Sequence, residues 1–342
     1  MNNTTINLFF APLSLALIVS YLITPIVIKY AKKMGIMDDP KKTNHPKVIH
    51  TKPIPRGGGI PVFIAILVAA LVFVPLDRHL ISILLGAAII FVMGHLDDKY
   101  NLNPYLRLGI GFIAAYIPIS QGIGITFFTN PFGGIIDLSN PIVSDLFALF
   151  WIVFMMNMVN MGAKGIDGQL SGVAAISALT ITAMSFKYST DITQWPVILI
   201  SSITAGAFLG FLFWHKCPQK IMPGYGGSTL AGYMLAVASI LSTTKVGALI
   251  VVLGIPLIDT GYTVIRRILS GRSPVWGDRG HLHHRLLDFG LSKKQVSQTY
   301  WSLTAILGIL ALSLNSTFKL YTIIGVILVV GGLILFLTKK DK

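Results

Sequence analysis

The feature that most constrains this 342-residue chain is a series of apolar runs too long and too numerous for one water-soluble core. They fall at about 8–28, 59–76, 80–96, 106–120, 144–161, 168–186, 195–214, 228–242, 246–265, 299–314 and 320–338, separated mostly by short polar links. Within lipid a backbone satisfies its N–H and C=O groups only in helices or a closed barrel, and runs of this length predict helices. Hydrophobic residues supply 54% of the chain and charged residues 12%, about half the charged share of an ordinary soluble protein. The expected fold class is all-α: a polytopic membrane protein of about 11 transmembrane helices, forming a single domain over residues 1–342. Met1 to Asn7 carry no Lys or Arg, and the first run is long enough to span, so it reads as a transmembrane helix and not a cleaved signal peptide.

A formal charge of +14 would ordinarily suggest nucleic acid, but the placement of the charge argues against it. With the N-terminus outside, all of the 27 Lys and Arg except Arg78, Lys187, Lys245 and Lys319 lie on one side of the membrane. That asymmetry is the positive-inside rule, and it predicts cytoplasmic loops at about 29–58, 97–106, 161–168, 215–228 and 266–298 with the C-terminus in the cytoplasm. The only cysteine, Cys217, rules out an intrachain disulfide.

Polar chemistry is confined to a few islands in those loops. Asp97 and Asp98 end one apolar run, where paired carboxylates are costly unless a cation or a proton satisfies them. On a continued helix Asp97 and Asp98 would share faces with Asn101, at i+4 and i+3, and Arg107 follows as an anion-binding or snorkelling cation. Arg56 precedes three glycines, Gly57 to Gly59, which suit either a close approach to phosphate or a flexible linker. Asn157, Asn160, Lys164 and Asp167 punctuate a glycine-broken turn between two spans that reads as the wall of a site. A glycine-rich turn from Lys220 to Ser228 is expected to open a helix at Ser228 or Thr229 with its amides available to an anion. Asp259, inside or near the end of a span, is expected to pair with Arg266 or Arg279.

The densest island is Gly277 to Leu286, with His281, His283, His284, Arg279 and Arg285 within seven residues. Imidazoles and guanidinium forks together suit a diphosphate or an anionic headgroup. A zinc site would need further ligands, and the lone Cys217 does not supply them. The stretch from Gln121 to Ser144, an outside loop in this topology, has no Lys or Arg and reads as a short hairpin or interfacial segment.

Taken in order, Pro53–Gly59, Asp97 to Leu102, Asn157-x-x-Asn160 with Gly165-Ile166-Asp167-Gly168, and His281 to Leu286 resemble the polyprenyl-phosphate N-acetylhexosamine-1-phosphate transferase family, which includes the MraY and WecA types. The resemblance spans nearly the whole chain and is closer to the WecA type, since the His-x-His-His form is similar to enzymes using UDP-N-acetylhexosamines. It implies transfer of a HexNAc-1-phosphate, GlcNAc-1-phosphate foremost, from a UDP-sugar to polyprenyl (undecaprenyl) phosphate with release of UMP, at the cytoplasmic face of the plasma membrane, as the first membrane step of cell-envelope glycan synthesis. It implies roles too: Asp97 and Asp98 manage the acceptor phosphate or its proton with Arg107 nearby; Asn160, with Asp98, approaches Mg²⁺; Asp167 reads the uracil; His281, His283, His284 and Arg285 hold the diphosphate.

Two positions depart from the family pattern. Lys164 stands where the amide motif normally carries its first Asp, with one extra residue before it, and Tyr225 stands where the glycine turn normally carries a metal-binding Asp. Relative to the pattern the site gains about three units of positive charge, comparable with what Mg²⁺ brings, so the expected Mg²⁺ is put in question by these residues. Two alternatives stay open on sequence: a noncatalytic polyprenyl-phosphate-binding membrane protein, and a phospho-MurNAc-pentapeptide transferase. The oligomeric state is open as well, a homodimer included.

Overall fold

Asn and Asp side chains, prolines and one capping box decide where several of the helices begin. The computed structural model describes residues 3–41, 49–187, 190–241, 246–273 and 279–340. A short turn, α1 (Asn3–Thr5), runs through a π-helical segment into α2 (Ala11–Lys33). There follow α3 (Gly59–Phe73), α4 (Arg78–Tyr100), α5 (Pro104–Ser120), α6 (Pro141–Gly162), α7 (Gln169–Phe186), α8 (Trp195–His215) and α9 (Gly224–Ile240). The described chain continues through α10 (Val246–Val252), α11 (Gly254–Leu269), α12 (Leu282–Asp288), α13 (Lys293–Ser313) and α14 (Ser316–Lys340).

Asp77 caps α4 by accepting from the amide of Leu80, a bond that holds its carboxyl below the usual range. Asn103 and Asn140 cap α5 and α6, each followed by a proline whose missing N–H costs nothing in the first turn. Ser292 and Gln295 cap α13 reciprocally. Two small hairpins complete the described structure. β1 (Met37–Asp38) pairs antiparallel with β2 (Ile54–Pro55), and β3 (Phe127–Thr129) with β4 (Ile135–Asp137), the second being the hairpin expected between residues 121 and 144.

The centre of the bundle is α9, every residue of which is buried. It packs against α3, α4, α6 and α8. Its sequence, GYGGSTLAGYMLAVASI, explains this position: lipid is as apolar as leucine, so spans associate through close packing, and small residues allow that closeness. Gly94 of α4 meets Gly226 of α9, and a Cβ at Gly94 would overlap the Gly226 backbone. Polar groups brought into this core find partners, Tyr233 donating to the Ile83 carbonyl at 3.0 Å and Trp151 to Ser239 Oγ at 3.0 Å. At the other extreme, α14 has only 17% of its apolar window covered, as a lipid-facing helix should.

The protein is therefore an all-α polytopic membrane protein. Among the described residues 7 helices are long and apolar enough to cross a membrane, or 8 if a bent pair counts as one span. Each of the eleven apolar runs carries helix, but α3, at 15 residues, and α5 and α9, at 17 each, fall short of that length. The run at 246–265 is not one straight helix: it breaks after α10 and turns by 78° into α11, next to Gly254 and Pro256, of which the proline cannot donate a backbone hydrogen bond. α9 begins at Gly224, ahead of the Ser228 or Thr229 expected from sequence, and α4 runs past the expected loop start at 97 to Tyr100, where Asn101 leaves the helix with a left-handed φ of 49° as its C-cap. Lys245, Gly277 and Asp278 lie outside the described residues.

The contact at Gly94 gives a direct test. Gly94→Ala is expected to separate α4 from α9 and cost about 1–3 kcal/mol, as overpacking does. Gly109→Ala, on a part of α5 with open space around it, should be neutral. Thermal unfolding of both variants in detergent would show a lowered Tm for the first only.

Candidate functional site

The polar ends of α4, α6, α9, α11 and α12 and the β1–β2 hairpin converge on a cavity of about 510 Å³. Its lining includes Arg56, Asp97, Asp98, Arg107, Asn160 and Lys164 of the sequence-predicted residues, and all three of His281, His283 and His284. Four islands far apart in sequence are thus one site. Into it face four cationic side chains, Arg56, Arg107, Lys164 and Arg267, with three carboxylates, Asp38, Asp97 and Asp98.

The carboxylates are held by amides and guanidinium groups. Asp97 accepts from Arg107 Nη1 at 3.1 and 3.2 Å and from the amide of Leu102 at 3.0 Å, the backbone turn after Asn101 bringing that amide back to it. Asp98 accepts from the amide of Tyr225 at 3.0 Å, so a carboxylate on α4 serves a donor in the first turn of α9 that has no partner within its own helix. The approach requires glycine at 224: its φ is +68°, and a Cβ there would overlap the Asp98 carboxylate. Arg56 donates to Asn101 Oδ1 at 3.1 Å and lies 3.6 Å from Asp38, which ties the β1–β2 hairpin to the end of α4.

On the opposite wall Asp259 is wholly buried in α11, and its partner is neither Arg266 nor Arg279. It accepts from His281 Nδ1 at 3.0 Å and from the amide of Leu282 at 2.7 Å, caps α12 from outside, and leaves His281 Nε2 as the ring nitrogen for the cavity. His281 precedes the helix in extended conformation, so despite a spacing of three residues it does not share a helical face with His284. Its ring stacks on His283 at 5.5 Å with 4° between planes, and His284 lies 4.4 Å beyond. Arg279 instead pairs with exposed Asp288.

Lys164 and Tyr225 meet in the middle of the floor. Lys164 Nζ donates to Asn160 Oδ1 at 2.9 Å, and Ser228 Oγ donates to the same oxygen at 2.6 Å. The Tyr225 ring carries the Arg107 guanidinium 4.6 Å from its centroid and Lys164 Nζ at 5.9 Å.

A resident Mg²⁺ asks for carboxylate and other oxygens in near-octahedral array. Here the Asn160 oxygen is taken by an ammonium and a hydroxyl, Asp97 by Arg107, one Asp98 oxygen by a backbone amide, and position 225 offers a phenol ring packed on cations. Among the described residues no group of three His, Cys, Asp or Glu is arranged to hold a metal. The residues present do not fit the metal that the family resemblance implies.

Three predicted residues stand off the cavity. Asn157 turns back to the Val153 carbonyl at 2.8 Å. Asp167 sits one step behind the wall, accepting from the amide of Gln219, which does line it. Arg285 donates to the Gly280 carbonyl and to Thr338, joining α12 to α14. Cys217 lies beside Asp167, and burial together with that carboxylate pushes its thiol up, away from thiolate chemistry. Sequence reasoning missed Arg267, Asp38, His50 and Gln219. For Arg267 a signal existed: Asp259, Thr263 and Arg267 recur every four residues and all three are buried.

Comparison with known proteins fits this geometry. Residues 80–243 match the profile of Glycosyl transferase family 4. The chain is 32% identical over 88% of its length to a probable undecaprenyl-phosphate N-acetylglucosaminyl 1-phosphate transferase of Bacillus subtilis, covering 83% of that protein. It is 30% identical over 82% of its length to a decaprenyl-phosphate N-acetylglucosaminephosphotransferase of Mycobacterium tuberculosis, covering 76% of it. A phospho-N-acetylmuramoyl-pentapeptide-transferase of Caldanaerobacter subterraneus is also similar, at 29% over 74% of this chain and 81% of that one. With a relative this similar along almost its whole length, the chain belongs to glycosyl transferase family 4.

Proposed function

We propose that the chain transfers GlcNAc-1-phosphate from UDP-GlcNAc to a polyprenyl phosphate such as undecaprenyl phosphate, releasing UMP. The observation that carries this reading is that four cationic side chains and three histidines line one cavity with the Asp97–Asp98 pair. The names of the relatives from Bacillus subtilis and Mycobacterium tuberculosis support N-acetylglucosamine as the transferred sugar and a polyprenyl phosphate as acceptor.

In this reading an acceptor phosphate oxygen attacks the sugar-bearing phosphorus of the donor. A new P–O bond forms to the lipid phosphate, the P–O bond to UMP breaks, and UMP leaves with the electron pair. Phosphoryl transfer of this kind asks chiefly for positioning and for neutralisation of charge on the phosphoryl oxygens. His281, aligned by Asp259, and the two histidines after it face the donor diphosphate together with Arg267 and Lys164. Asp97 holds Arg107 in place for the acceptor phosphate. Asp98 commits Oδ1 to the Tyr225 amide, and its other oxygen is the group that takes the acceptor's proton if that phosphate arrives protonated.

The purified protein is expected to release UMP only when UDP-GlcNAc and undecaprenyl phosphate are both present. Asp98→Asn keeps an acceptor oxygen for the Tyr225 amide, so its Tm should hold while UMP release falls by about 10²-fold or more. An enzyme indifferent to that change would remove Asp98 from the chemistry. Silence with every UDP-N-acetylhexosamine would leave a lipid-phosphate-binding protein in place of a transferase.

The same reading puts the cavity on the cytoplasmic side of the plasma membrane, with eleven spans and the N-terminus outside. The asymmetry of Lys and Arg supports it. In a Cys217→Ser background, a membrane-impermeant maleimide should label Gly133→Cys, in the β3–β4 hairpin, on intact cells. Gly290→Cys, just after α12, should label only after permeabilisation. The reverse pattern would overturn the orientation.

A further inference from the structure

We propose that Lys164 is the built-in cation of this site, supplying the donor diphosphate with positive charge of the kind a divalent metal would bring, so that the nucleotide diphosphate is bound without metal. The inference rests on the reading of the cavity as a diphosphate site. It starts from the mismatch between the residues present and any Mg²⁺ cage.

Three observations place a fixed positive charge at that point. Lys164 Nζ is anchored by Asn160 Oδ1 at 2.9 Å, and Asn160 is itself fixed by Ser228 Oγ at 2.6 Å, so the ammonium is positioned and not swinging on a flexible stem. The Tyr225 phenol carries Arg107 at 4.6 Å and Lys164 at 5.9 Å, a neutral π surface that keeps two like charges near one another. A carboxylate at 225 would add a competing anion beside both cations; a tyrosine adds none. Finally, both residues line the cavity with His281, His283, His284 and Arg267, so the ammonium faces the same volume as the imidazoles.

Charge is what an ammonium can supply. It cannot impose the octahedral template of a hydrated divalent ion, which leaves geometric control of the diphosphate to the histidines and Arg267. The site is then one in which metal adds nothing to donor binding, since Asn160 Oδ1 is already occupied by Lys164 and Ser228.

The test measures binding of UDP to the full-length protein in detergent by calorimetry, with millimolar chelator and with millimolar Mg²⁺, beside Mn²⁺ titration followed by electron paramagnetic resonance. The wild-type protein should bind UDP with Kd values agreeing within about twofold under the two conditions, and should show no saturable Mn²⁺ signal. Lys164→Met should weaken UDP by about tenfold or more at unchanged Tm, as loss of a charge-assisted contact does. Lys164→Asp combined with Tyr225→Asp should bind UDP only with Mg²⁺ and acquire a saturable Mn²⁺ site. A wild-type protein that binds UDP only with Mg²⁺, that saturates with Mn²⁺, or whose Lys164→Met variant binds normally would overturn the proposal. UDP bound without metal but no UMP released from UDP-GlcNAc would leave the proposal standing and remove the transferase reading. No UDP binding under either condition would overturn both.

Discussion

A carboxylate buried beside a membrane must be given hydrogen-bond donors, and this structure satisfies that constraint with backbone amides. Four aspartates are buried among the described residues, Asp97, Asp98, Asp167 and Asp259, and each accepts from a main-chain N–H: those of Leu102, Tyr225, Gln219 and Leu282. Two of these amides lie in the first turn of a helix, where no intrahelical acceptor exists. The fold thereby offsets two unfavourable terms against one another, an uncompensated anion and unsatisfied helix starts. It also determines where the negative charge of the site can be. Asp98 cannot move without uncapping α9, and Asp259 cannot move without releasing both His281 and α12.

The same economy accounts for the composition of the central helix. Burying all of α9 in a bundle surrounded by lipid gains little from hydropathy, since its neighbours would be as well solvated by hydrocarbon. Packing at backbone distance is the available source of stability, and Gly226 against Gly94 achieves it. That contact also brings the end of α4 to the start of α9, so helix association and assembly of the Asp98–Tyr225 contact are one event.

The helices were legible because their signal is length and oiliness, and each predicted run carries helix. The β3–β4 hairpin was legible from its turn residues and lack of cations. What sequence could not supply was the direction of side chains once separate segments pack together. Nothing local in Pro256-Leu257-Ile258-Asp259-Thr260 says that the partner is His281, because the pairing exists only after α11 has swung away from α10 by 78°. Asn157 looked equivalent to Asn160, one turn apart on the same helix, yet only Asn160 meets Lys164 and Ser228, while Asn157 bonds to its own helix. The start of α9 was misjudged because glycines at 224, 226 and 227 read as a loop by propensity, and tertiary packing overrode propensity.

Tyr225 connects the structural and chemical sides of the site. Its amide belongs to the backbone scheme that holds Asp98, while its ring carries Arg107, which in turn holds Asp97. One residue therefore sets the spacing between the two carboxylates and the cations facing them, through a main-chain donor and a π surface that are both neutral. Exchanging the ring for an anion would leave the amide bond to Asp98 possible but would add a third negative charge within reach of Asp97 and Asp98, with Arg107 drawn between competing partners. A cavity already furnished with four fixed cations has no electrostatic need of that anion unless a further cation arrives to balance it. The tyrosine and the lysine therefore act on one patch of the floor: the ring adds no charge there, and the ammonium that Asn160 holds makes its centre positive.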